Sequence, residues 1–110
     1  MKTDKVVQFK DWRCNIHLEE YVNSSNIAIV LRNADIIDED ECKELPDMAD
    51  IAVATVNITG VKLQHDEVAI KDYSENEGML KALIMANIVH MPHKFVKGGF
   101  AEFPVCKLRI

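Results

Sequence analysis

From Trp12 to Leu18 apolar and polar residues alternate without a break. Trp12, Cys14, Ile16 and Leu18 share one side, and Arg13, Asn15 and His17 share the other. A period of two over a whole segment is the pattern of a β-strand with one buried and one wet face. Asn23-Ser24-Ser25-Asn26 follows, and such short polar side chains bond their own backbone in turns. Ile27-Ala28-Ile29-Val30-Leu31 is then an uninterrupted β-favouring run. The two segments predict an antiparallel hairpin. Trp12 is expected to face the core, since it shares a side with Ile16 and Leu18.

The remaining elements are read outward from this hairpin. Val6 to Phe9 is a short apolar start. Residues 51–58 read as a strand ended by Thr59-Gly60, and Glu67-Val68-Ala69-Ile70-Lys71 reads as the next, with Gln64-His65-Asp66 in the connection. Ser74-Glu75-Asn76-Glu77 fits a capping box, in which the Ser hydroxyl accepts from the Glu77 backbone and the Glu carboxylate reaches back. Leu80, Leu83, Ile84 and Ile88 then form one apolar stripe at helical spacing. Asn87 or Pro92 ends that helix. Lys97-Gly98-Gly99 reads as a flexible joint, and residues 100–110 as the last strand, with Pro104 marking an edge or a bulge. The predicted fold is α+β: one antiparallel or mixed sheet of about five strands, order ββββαβ, with one main helix packed on a face. Residues 1–110 form a single domain, and residues 35–50 an acidic loop.

Composition sets limits on function. With 48% hydrophobic and 28% charged residues, 110 residues suffice to bury a core without disulfides or metals. No apolar run reaches the ~18 residues of a membrane helix. Met1-Lys2-Thr3-Asp4-Lys5 leads into a strand-like segment rather than a signal-peptide core, which predicts a cytoplasmic protein. Cys14, Cys42 and Cys106 are odd in number and lack CxxC spacing, so they read as free thiols.

The net charge of −5 argues against direct binding to nucleic-acid phosphates. Its distribution is uneven. Asp35, Asp38, Glu39, Asp40, Glu41, Glu44, Asp47 and Asp50 stand against the single Lys43 between them. Such a run reads by default as a solvated loop. It lacks the Gly and the terminal bidentate Glu of an EF-hand. It can also imitate a phosphate backbone and meet a basic groove on a partner, because complementary fields speed association and select partners.

The residues that could carry chemistry have simpler readings. His90-Met91-Pro92-His93 resembles a metal-binding HxxH, but Pro92 breaks the turn that would align the rings. His90 then reads as a helix C-terminal residue and His93 as a loop residue. Asp72, Glu75 and Glu77 around Tyr73 are accounted for by a strand exit and a helix cap. No nucleophile elbow, P-loop, GxGxxG or HExxH is present. The chain is therefore expected to be no enzyme and to need no cofactor, metal or membrane. Trp12, Tyr21, Tyr73, Phe95, Phe100 and Phe103 are the aromatics to consider at a surface. Phe95 and Phe100, around the Gly98-Gly99 joint, are the candidates for anchoring a partner. Together with Asp38, Glu39, Asp40, Glu41, Glu44 and Asp47 they form the predicted partner-binding set.

The block Lys71-Asp72-Tyr73-Ser74-Glu75-Asn76-Glu77-Gly78-Met79-Leu80 has Thr55-Val56-Asn57 before it and Pro104-Val105-Cys106-Lys107-Leu108 after it. In these segments the chain resembles a family of small uncharacterised proteins carried by phages, plasmids and integrative elements of gut bacteria. The resemblance spans roughly Trp12 to Leu108, and the middle block is its most specific part. The acidic Asp38–Glu41 segment and the His90–His93 tail depart from the family pattern. The family brings no catalytic residues. What it implies is a genomic setting, in which small proteins bind and disable host machines such as CRISPR or restriction systems. The expected function is thus a non-enzymatic inhibitor acting by protein–protein contact. The alternatives are a structural or homo-oligomeric accessory protein pairing through the last strand as a sheet edge, and a small metal-dependent hydrolase using His90 and His93.

Overall fold

The computed structural model describes residues 1–22, 24–34, 50–58 and 60–110. The strands are β1 (Lys2–Phe9), β2 (Trp12–Glu20), β3 (Ile27–Asn33), β4 (Asp50–Val53) and β5 (Glu67–Ala69). A 3-10 turn (Ser74–Asn76) and one α-helix, α1 (Met79–Met85), follow, then β6 (Lys94–Gly98) and β7 (Ala101–Lys107). The class is α+β with mainly sheet content. The strands form two antiparallel sheets rather than one, ordered β1-β2-β3-β4 and β5-β7-β6.

The alternating segment sits where its period places it. β2 pairs with β3 from Cys14↔Asn33 to Glu20↔Ile27, as the hairpin reading requires. Its inward face joins Cys14 and Ile16 to Val7 and Phe9 of β1 and to Ile29 and Leu31 of β3. Met79 and Leu83 of α1 pack on this face, and Val68 and Cys106 of the second sheet close it. The second sheet turns its other side to a smaller cluster of Leu63, Ala69, Phe103 and Val105. This division follows from the pleat, because neighbours along a strand point to opposite faces. A Thr55↔Ile70 bridge ties the sheets together, with the Val56 N–H donating to the Ala69 carbonyl at 3.0 Å.

Four expectations are corrected. Trp12 lies on the core side of β2 but is 46% exposed, because it forms the last pair of the β1–β2 hairpin, opposite Phe9, at the rim of the core. The capping box does not form. Ser74 has φ +55° and belongs to the 3-10 turn; Gly78, at φ +92°, stands before the first residue of α1, with no side-chain bond from the cap. The Asp72 carboxylate instead accepts the Leu80 N–H at 2.9 Å, satisfying one of the helix's orphan donors. Lys97-Gly98-Gly99 is no loose joint, since Lys97 and Gly98 belong to β6 and Gly98 pairs with Ala101. The last strand is also not an edge: β7 lies between β5 and β6.

The end of α1 follows a known rule. Asn87 takes φ +60°, the Ile88 N–H reaches the Leu83 carbonyl at 2.9 Å, and the Asn87 N–H reaches Ile84 at 3.0 Å. These two bonds are the Schellman arrangement, with Asn in the left-handed position usually taken by glycine.

Candidate partner-binding surface

The β6–β7 hairpin carries the two predicted aromatic anchors. Its closing pair is Gly98↔Ala101, which leaves Gly99 and Phe100 as a two-residue turn, and Gly99 supplies φ +62°. Tight turns of this kind favour a glycine at the first central position. Phe100 at the tip is fully exposed. Phe95 stands opposite Pro104 and is 64% exposed, and Met91 just before β6 is also open to solvent.

The base of the hairpin is closely packed. A Cβ built on Gly98 would lie 3.0 Å from Phe103 Cε2 and 3.2 Å from the Ile58 side chain. Phe103 itself is buried against the Tyr73 ring, with centroids 5.9 Å apart. A groove of about 380 Å³ runs beside this base, lined by Val56, Asn57, Ile58, Lys97, Gly98, Gly99 and Phe103. The hairpin is thus a rigid presenter of exposed aromatics, the arrangement in which an anchor loses little entropy on docking.

The hairpin strands are basic within an acidic chain, with Lys94, Lys97 and Lys107 against Glu102. Lys97 Nζ lies 4.0 Å from Glu102 and is almost fully exposed. Lys94 Nζ lies 3.4 Å from the buried Glu67 carboxylate. Of the predicted acidic set, Asp38, Glu39, Asp40, Glu41, Glu44 and Asp47 lie outside the described residues.

Glu67 is the residue that sequence reasoning missed. Its carboxylate accepts the Gln64 N–H at 2.9 Å through one oxygen and meets His93 Nε2 through the other. The Gln64 backbone bond, with help from His93 and Lys94, holds its pKa below the ordinary 4.5 despite burial. The available signal was one carboxylate leading an otherwise apolar strand, Val68-Ala69-Ile70. His93, a loop residue just before β6 as expected, is accordingly a partner of Glu67. His90 is exposed at the surface, three positions beyond Asn87, which ends the helix turn. Among the described residues no group of three or more His, Cys, Asp or Glu converges in a way that could hold a metal ion. Cys14 and Cys106 are free and buried, and burial pushes both thiols up to about 11.

A second polar constellation fastens the β2–β3 turn. Tyr21 Oη lies 2.7 Å from Thr55 Oγ1, which also accepts the Ile29 N–H at 3.2 Å. Buried Asn26 donates to Asn57 and to the Val61 carbonyl, and accepts the Leu63 N–H. Every bond in this set joins distant segments, so its work is structural.

No helix among the described residues is long and apolar enough to cross a membrane. Comparison with protein-family models, with curated proteins and with solved structures found no match.

Proposed function

We propose that this chain is a non-enzymatic binding protein of a mobile element, acting by protein–protein contact on a host machine that handles nucleic acid, of the CRISPR or restriction kind. The observation that carries the binding role is the β6–β7 hairpin, which holds Phe95 and Phe100 in solvent on a closely packed base. Exposed aromatics on a fixed scaffold are the common anchors of protein interfaces. The acidic run between Asp35 and Asp50 suits the basic surface of a nucleic-acid-handling partner. Net negative charge disfavours a direct nucleic-acid target. The mobile-element setting rests on the resemblance carried by the Lys71–Leu80 block.

The test is capture from a host extract with immobilised wild type, a Phe95→Ser/Phe100→Ser double variant, and a variant with Asp38, Glu39, Asp40 and Glu41 reversed to Lys. Wild type should retain one nucleic-acid-handling assembly in stoichiometric amount. The double variant should lose it, and charge reversal should weaken it and flatten its salt dependence. Equal recovery by all three proteins, or recovery of nothing, overturns the reading.

A further inference from the structure

β6 is the outer strand of its sheet, and its hydrogen-bond phase is set by a proline. Pro104 has no N–H, so the Phe95↔Pro104 rung is the unbonded kind, and its carbonyl instead serves the Ile70 N–H on the far side. Alternation then turns Lys94, Val96 and Gly98 toward β7. The backbone N–H and C=O groups of Phe95 and Lys97 point outward, where no bond is made to them among the described residues. The opposite edge of this sheet is occupied, because residues 54–56 bond to β5 and its extension. One outer strand of the other sheet, β1, has a register break between Lys2 and Val6, an irregularity that discourages pairing. β6 combines a free edge with an exposed aromatic ring.

We infer that a second copy of this chain pairs with that edge, β6 antiparallel to β6 about a two-fold axis at Val96. In this register Phe95 lies opposite the partner's Lys97, and both residues present outward groups. The reciprocal rungs form a closed set of main-chain bonds, as a two-fold interface requires. The charges fit as well. One face reads Glu102, Lys97, the partner's Phe95, the partner's Pro104, so each ammonium sits between its own carboxylate and an aromatic ring. The other face sets Val96 against the partner's Val96, and Lys94 faces the partner's Gly98. No like charges meet. An axis at Lys97 would place two lysines opposite each other, and an axis at Phe95 would place Lys97 opposite the partner's His93. The turn Gly99–Phe100 lies outside the rungs.

Five residues of strand make a small contact, below the roughly 1,200 Å² of standard interfaces, so the dimer is of the transient class. The test is equilibrium sedimentation of the full chain from low to high micromolar concentration. The weight-average mass should climb from 12.5 kDa toward twice that value. Lys97→Pro removes an outward donor and no bond to β7. It should raise the dissociation constant by about tenfold or more with an unchanged circular-dichroism spectrum. Phe95→Glu places a carboxylate opposite the partner's Lys97, and should keep the dimer at low salt while making it salt-sensitive. A wild type that stays at monomer mass throughout, or a dimer indifferent to Lys97→Pro, overturns the proposal. Loss of the dimer in Phe95→Glu at low salt overturns the Val96 register. These outcomes concern the chain alone, so a monomer would leave the host-partner reading standing, and a failed capture would leave the dimer standing.

Discussion

The Glu67 carboxylate and His93 Nε2 meet at 2.5 Å, joining the first residue of β5 to the residue before β6 across the intervening strand β7. This contact holds the second sheet together from its two outer strands. Glu67 is almost wholly buried, whereas His93 is about one third exposed. The contact is therefore shielded on the Glu67 side and open to solvent on the His93 side.

A pH dependence follows from Glu67. Its pKa is lowered in the folded chain, chiefly by the Gln64 N–H, so it stabilises the fold fully above the unfolded value near 4.5. That contribution is lost as pH falls from there through the lowered folded value. Urea midpoints should drop below pH 4.5 in the wild type and drop less in Glu67→Gln. The variant should also cost about 1–3 kcal/mol at neutral pH, because a buried charged acceptor is replaced. Identical acid profiles for the two proteins would show that another carboxylate governs the transition.

The start of α1 separates two residues that a motif would confuse. Asp72→Ala leaves the Leu80 N–H without its acceptor and should cost about 1 kcal/mol. Ser74→Ala should change stability little, since no cap bond comes from that side chain. Ser74→Gly should be neutral or stabilising, because φ +55° is strained for any residue with a Cβ. Thermal melts of the three variants give the ranking; a larger loss for Ser74→Ala than for Asp72→Ala would restore the capping box.

How far the sequence discloses this fold depends on what each residue is near. The alternation of Trp12 to Leu18 yields the β2–β3 pair because period two has one interpretation. β1 is legible only from Val6 to Phe9, and β6 not at all, for a shared reason. Both are outer strands whose Lys2, Asp4, Lys5, Lys94 and Lys97 interrupt the apolar pattern that marks a strand. Division into two sheets is likewise invisible locally, since β5 finds β7 only across α1 and β6. Ser74 to Glu77 matches a capping motif by residue type, but Gly78 resets the backbone and moves the helix start to Met79. Phe95 and Phe100 are legible as exposed aromatics because they flank glycines. Their shared hairpin was not, since Lys97-Gly98-Gly99 hides a strand end and a turn.

The network around Thr55 should behave as one unit. Thr55→Val removes the oxygen that contacts Tyr21 Oη and accepts the Ile29 N–H. It leaves two groups unpaired and should cost about 1–3 kcal/mol. Tyr21→Phe alone removes one hydroxyl and should cost about 1 kcal/mol. In the double variant the hydroxyl orphaned by Thr55→Val is gone, so the combined loss should fall short of the sum of the single losses. A double-mutant cycle by urea denaturation measures the shortfall, and strict additivity would mean that the 2.7 Å contact carries no coupling.

Thiol chemistry tests the core itself. Cys14 and Cys106 are fully buried in the cluster that both sheets share, and burial pushes each thiol up to about 11. At pH 8 the thiolate, which is the reacting form, is scarce and also out of reach of reagent. Iodoacetamide added to the folded chain should leave both residues unmodified, as read by peptide mass mapping. The same reagent in urea should alkylate both. Met85→Asp offers a control, since that side chain is exposed on α1 and its replacement should not admit the reagent. Leu83→Ala opens a cavity beside the same cluster, costs about 2–5 kcal/mol and should speed labelling of both cysteines together. Labelling of Cys106 without Cys14 would instead mean that the second sheet opens alone, with its contacts to the first sheet contributing little to its closure.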